Sequence, residues 1–109
     1  FPGGGAPKPP RLHFDLVEVF GGAGICSGWG LTEAPNLTMV SVHDPDPKKT
    51  GTEGRPALPE IDLRVVRADG TLAAAGESGE LRVRAPQVCR GYLDATLDAD
   101  AFDAEGYFR

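Results

Sequence analysis

Apolar residues recur with helical spacing early in the chain and alternate later. Leu12, Leu16, Val19 and Phe20 fall at i, i+4, i+7 and i+8, which predicts a helix over 11–20 with these four on one face. Pro9 and Pro10 suit its start and Gly21-Gly22 its end. His13 is expected to be an exposed or half-buried position of that helix. A short apolar element, Ala23 to Cys26, follows, and Leu37 to Val42 reads as a strand. His43-Asp44-Pro45-Asp46-Pro47 breaks it; the two prolines argue for a solvated turn over a metal-binding group. From Thr50 the character turns to β, with 51–56 a loop. Ile61 to Arg67 alternates, Asp69-Gly70 supplies a tight turn, and Gly76 to Gly79 supplies another. In Glu80 to Ala85 the alternation puts Leu81, Val83 and Ala85 on one side. Its arginines fit a solvated face interleaved with Glu and Asp better than an anion site. Val88 to Tyr92 is expected to close this β section. Thr96 is expected to cap a short helix through Phe102, with Asp98 and Asp100 near its positive end. Residues 103–106 read as a turn before Tyr107-Phe108.

Composition narrows the class. A chain of 109 residues, 40% hydrophobic and 25% charged, fits one small domain of ordinary globular make-up. Fifteen glycines and ten prolines favour turns over long helices. The net charge of −5 and the lack of a basic cluster argue against nucleic acid or an anionic membrane as partner. No apolar run is long enough to span a bilayer, and the N-terminus lacks a signal-peptide pattern. A cytoplasmic protein is expected. Cys26 and Cys89 show no metal-ligand spacing and read as free thiols of a reducing compartment.

The candidate chemistry lies in Gly28-Trp29-Gly30-Leu31-Thr32-Glu33. Glycines permit a close backbone approach to a ligand. An aromatic at a bend between them offers a flat face for stacking. A threonine hydroxyl can donate to phosphate, and a glutamate is a hard oxygen ligand suited to Mg²⁺. The set is consistent with a nucleotide and a nearby metal, or with an ordinary surface turn. Gly22-Ala23-Gly24 begins a dinucleotide fingerprint, but Ser27 stands where its third glycine belongs, and a helix precedes it. The Walker loop, the serine elbow and the HExxH pattern are all absent. From the residues alone, an α/β piece with a nucleotide contact is joined to a β-rich piece.

Five segments, taken in order, resemble the acyl-CoA synthetase branch of the AMP-binding, adenylate-forming superfamily. Residues 3–10 are similar to its SGGAPLPP segment and residues 28–33 to GYGLTE. Residues 51–56 are similar to GSxGRP, 79–92 to GELxVRGPxxxxGY, and 106–109 to the start of GWFRTGD. The resemblance implies a fragment of the large N-terminal domain. The end of an α/β sheet lobe (1–46) would be followed by a small β-barrel-like subdomain (47–95), then a short helix and the start of the next strand (96–109). It implies adenine-lining backbone at Gly5, Ala6 and Pro7. Ser27, Gly28 and Trp29 would surround adenine and the acyl group, and Gly30 with Leu31 would adjoin them, Gly30 leaving room for the acyl chain. Thr32 would bind the AMP phosphate and Glu33 would ligate Mg²⁺, both catalytic. The implied reaction activates a carboxylic acid, fatty or related, with ATP, then transfers it to CoA with release of AMP. An adenylating enzyme that loads a carrier protein and a non-catalytic nucleotide-binding module are the alternatives. The family's phosphate loop, ribose-binding aspartate and C-terminal catalytic lysine match nothing here, so the fragment alone is expected to be inactive. Trp29 replaces the commoner Tyr, and Lys8 replaces Leu, a change expected to alter only the loop. The bulk of Trp29 beside Gly30 fits a medium aliphatic or cyclic acid.

Overall fold

In the computed structural model, which describes residues 1–109, β1 (Pro2–Gly3) pairs in parallel with β2 (Cys26–Trp29). Parallel neighbours need a crossover, and α1 (Pro10–Phe20) makes it. Pro10 opens the helix, where its missing N–H costs nothing. Gly21, at φ 67°, closes it by donating its N–H to Val17 O at 2.8 Å.

The helix is where the periodicity places it, but its buried position differs. Leu12, Val19 and Phe20 are exposed, whereas His13 is 1% exposed. The reason is polar. Ile25 N donates to His13 Nδ1 at 3.3 Å, so Nε2 carries the proton and meets Asp46 Oδ1 at 3.2 Å. A Cβ on Gly24 would lie 2.5 Å from the imidazole, and this position has φ 67°. A glycine there lets the ring in.

After β2 the chain returns antiparallel as β3 (Thr38–Met39), and β4 (Arg55–Pro56) pairs antiparallel with β3, giving the order β1-β2-β3-β4. The strand expected over 37–42 therefore keeps only its centre. Between β3 and β4 lies α2 (Asp46–Gly51), where the sequence suggested turn and loop. Pro47 falls in its first turn, where proline is tolerated, and Asp46 and Lys48-Lys49 suit its two ends. In the turn before it, Asp44 accepts from Ser41 N at 2.8 Å and from Arg55 at 2.6 Å. These contacts, the backbone bond foremost, hold its carboxyl below its ordinary value. Ile25, Ala34, Leu37 and Val40 form the buried apolar core of this part.

The chain divides into two compact units, Phe1–Leu58 and Pro59–Arg109. The boundary expected at 46/47 falls inside the first, because α2 reaches α1 through Asp46–His13 and β4 belongs to the sheet. In the second unit β5 (Asp62–Val66) and β6 (Glu80–Arg84) pair antiparallel, with Leu63 opposite Val83 and Val65 opposite Leu81. Val83 is buried, and Phe108 bridges to it and packs edge-on against Phe102 at 5.4 Å. The other face is not simply solvated. Tyr107 is buried there beneath Arg64 and Arg84, 4.1 and 4.8 Å from its ring centre, and donates to Asp62. Burial raises the Tyr107 phenol, with the Asp62 bond adding to it. Asp103 accepts from Glu105 N and Tyr107 N and meets Arg82 at 2.9 Å, fixing the turn expected at 103–106. No strand forms over 88–92.

The last helical segment is a 3-10 turn, Ala95–Leu97, running into α3 (Asp98–Ala101). Its cap is Asp94, which accepts from Thr96 N, and not Thr96. Asp98 turns away from the helix end to accept from Tyr92 N at 2.8 Å.

Candidate functional site

Two adjoining depressions of the first unit open at the end of β2. The larger, about 460 Å³, is walled by Gly3, Gly4 and Gly5, by Cys26 and Gly28 to Leu31, and by Pro35, Asn36 and Met39, with Pro2 at one side. The smaller, about 330 Å³, is walled by Gly5, Ala6, Pro7, Gly28, Trp29, Gly30 and Glu53. Trp29 and its flanking glycines border both.

The backbone explains these glycines before any ligand does. A Cβ on Gly28 would lie 2.6 Å from Thr38 O of the paired strand. One on Gly30 would lie 2.6 Å from Asn36 N and 3.0 Å from Ala34 O. Both positions must be bare for the chain to fold back on itself. Trp29 is the last residue of β2 and not part of a bend, because Trp29 O accepts from Leu37 N at 2.9 Å. The bend follows it. Leu31 N donates to Ala34 O at 3.0 Å and Ala34 N to Leu31 O at 3.3 Å, tying the ends of a four-residue turn. Ala34 and Leu37 are fully buried and anchor it. Asn36, at φ 52°, turns the chain into β3 in the left-handed region that asparagine tolerates.

Of the residues singled out in the sequence, Gly5, Ala6, Pro7, Gly28, Trp29, Gly30 and Leu31 come together as cavity wall. Thr32 and Glu33 lie at the tip of the Leu31–Ala34 turn and line neither depression. Ser27 is buried behind the wall, its Oγ accepting from Lys8 Nζ at 2.5 Å. No three His, Cys, Asp or Glu side chains gather as a metal cage. Glu33 carries a carboxylate, a hard-oxygen group of the kind that suits Mg²⁺. Asp44 and Asp46, near His43, are engaged with Ser41, Arg55 and His13.

Sequence reasoning passed over Asn36, Met39 and Glu53 as cavity walls, and Lys8 behind them. Only Lys8 carried a signal, a charged residue in an otherwise apolar loop.

The α/β architecture is that of an adenylate-forming enzyme's N-terminal domain. The chain belongs to the AMP-binding enzyme family, whose model matches residues 1–93. It is 37% identical over 101 residues to a 2-hydroxy-7-methoxy-5-methyl-1-naphthoate–CoA ligase of Streptomyces carzinostaticus, covering 92% of this chain and 16% of that one. It is 40% identical over 74 residues to a salicyl-AMP ligase/salicyl-S-ArCP synthetase of Mycobacterium tuberculosis, covering 67% of this chain and 13% of that one. Among solved structures, apo MbtA of Mycobacterium smegmatis superposes with a TM-score of 0.86 at 28% identity, over 99% of this chain and 20% of that one. The chain thus spans 13–16% of the length of these two relatives. No helix is long and apolar enough to cross a membrane.

Proposed function

We propose that the full-length protein activates a carboxylic acid with ATP as an acyl-adenylate and then transfers the acyl group to the thiol of CoA. The observation that carries this reading is the convergence of residues 5–7 and 28–30 on one small cavity that adjoins a larger one. The smaller, with Trp29 in its wall, suits adenine; the larger suits the body of the acid. Thr32 and Glu33, at the tip of the turn that follows, are assigned to the phosphates in this reading.

In this reading the acid's carboxylate oxygen attacks the α-phosphorus and pyrophosphate leaves. The Thr32 hydroxyl donates to a phosphate oxygen; the Glu33 carboxylate is the group that would hold Mg²⁺, which would supply compensation of phosphate charge. These residues act by positioning and charge compensation. A thiol then attacks the acyl carbon and AMP departs. The naphthoate–CoA ligase supports CoA as acceptor, and the names of both relatives support a ring-bearing acid. A carrier-protein thiol is the second reading, favoured by the salicyl-AMP ligase at 40% identity.

Pyrophosphate release by the full-length protein tests this, with ATP, Mg²⁺ and a panel of aryl and aliphatic acids, with and without CoA. Acid-dependent release that CoA sustains, cut at least about 100-fold by Glu33→Ala and about tenfold by Thr32→Ala, is expected. Release that CoA leaves unaffected moves the acceptor to a carrier protein. No release with any acid overturns the reading.

A further inference from the structure

Lys8 is buried to an extent unusual for a lysine, with its side chain 6% exposed. An ammonium removed from water is costly unless its donors are met. Its Nζ donates to Ser27 Oγ at 2.5 Å and to Thr52 O at 2.8 Å, and lies 3.8 Å from Glu53 Oε1. An ammonium has three donors. Two make hydrogen bonds, and the third side of the charge faces the Glu53 carboxylate.

Each partner adjoins a different wall of the smaller cavity. Lys8 follows Gly5-Ala6-Pro7, Ser27 precedes Gly28-Trp29-Gly30, and Thr52 precedes Glu53, which itself lines the cavity. One buried cation therefore ties together every segment of the wall, across 19 residues to Ser27 and 44 to Thr52. Glu53 is the one side chain in this wall that ionises. An ionised carboxylate can only accept hydrogen bonds. It favours an exocyclic amine, which only donates, over a carbonyl oxygen in the same place.

We propose that Lys8 is a positioning residue that assembles this cavity, and that the Glu53 it holds makes the cavity prefer a 6-amino purine over a 6-oxo purine. This rests on the smaller cavity being the base site of the proposed reaction. It corrects the expectation that Lys8 alters only a loop.

The test is equilibrium binding of ATP and of ITP to the full-length protein, with pyrophosphate release followed in parallel. The unsubstituted protein is expected to bind ATP at least about tenfold more tightly than ITP, the scale of one discriminating contact. Glu53→Gln, whose amide both donates and accepts, should bring that ratio close to one. It keeps the side chain's shape at a half-exposed position, so folding is retained even if Lys8→Met fails to fold. A folded Lys8→Met should weaken ATP binding about tenfold and raise KM for ATP far more than it lowers kcat. An ATP/ITP ratio unchanged in Glu53→Gln overturns the proposal, as does a folded Lys8→Met that binds ATP normally. Those outcomes leave the adenylation reading standing if pyrophosphate is still released. Loss of that reading shows instead as no release from the unsubstituted protein. If that protein binds neither nucleotide, both fall.

Discussion

At the scale of single residues, the first unit is organised by polar groups in apolar positions. His13 occupies the inner face of α1, holding Ile25 N on one ring nitrogen and Asp46 on the other. His13→Ala leaves a cavity and an unpaired backbone N–H. The expected cost is about 2–4 kcal/mol, read as a lower Tm in thermal unfolding. Leu12→Ala, at an exposed position of the same helix, should shift Tm far less. Equal shifts would show that the hydrogen bonds do not organise the helix. A period-3.6 pattern cannot reveal this arrangement, because it ranks side chains by hydropathy, and a histidine with both nitrogens partnered scores as polar. Lys8 stood out as a charge in an apolar loop, but residue type does not show that its ammonium is buried between Ser27 and Thr52. Trp29, Thr32 and Glu33 stood out as candidates because an aromatic, a hydroxyl and a carboxylate beside glycines carry chemistry in their identities. Their separation into cavity wall and turn tip depends on which backbone groups pair, and residue type does not encode that.

At the scale of elements, close backbone approach decides which glycines matter. Gly54 and Gly21 both have positive φ, 86° and 67°. A Cβ on Gly54 would lie 2.0 Å from Met39 O, whereas one on Gly21 meets nothing within 4 Å. Gly21→Ala should therefore cost about 1 kcal/mol, from backbone strain alone. Gly54→Ala should cost clearly more, because β4 must move off β3. Thermal unfolding of the two variants side by side checks this, and similar Tm shifts would contradict it. The elements themselves were partly legible. α1, β5, β6 and the turns at 69–70 and 103–106 follow from periodicity and turn residues. α2 was not, because prolines that usually signal a turn sit in its first helical turn and just before it. Thr96 as a cap failed because the helical segment starts earlier: Asp94 caps it by accepting from Thr96 N, and the Thr96 hydroxyl donates to that same carboxylate.

For the molecule as a whole, carboxylates shape the response to acid. Asp44 is held low first by Ser41 N–H, Glu80 by Arg82 and Arg109, and Asp103 first by Tyr107 N–H and then by Arg82. Their folded values lie below the unfolded range of about 4. As pH falls, the unfolded chain takes up protons first, so their contribution is intact above that range and disappears as pH drops through the folded values. Tm should be flat from pH 7 to about pH 5 and then fall toward pH 3. Asp103→Asn should lower the neutral plateau and shrink the acid drop; an undiminished drop would acquit Asp103. The division into two units at Leu58 was not legible, because α2 and β4 join the first unit through pairings distant in sequence. The Lys8–Thr52 bond is the longest of these around the cavity, closing 44 residues. Closing it costs only about 0.6 kcal/mol more than closing half that length, so it is a slight thermodynamic burden. In time it is another matter, because contacts distant along the chain form after local helices and hairpins. The smaller cavity is therefore expected to be completed late in folding, and a ligand that bound only the completed wall would draw the folding equilibrium toward the native state by mass action.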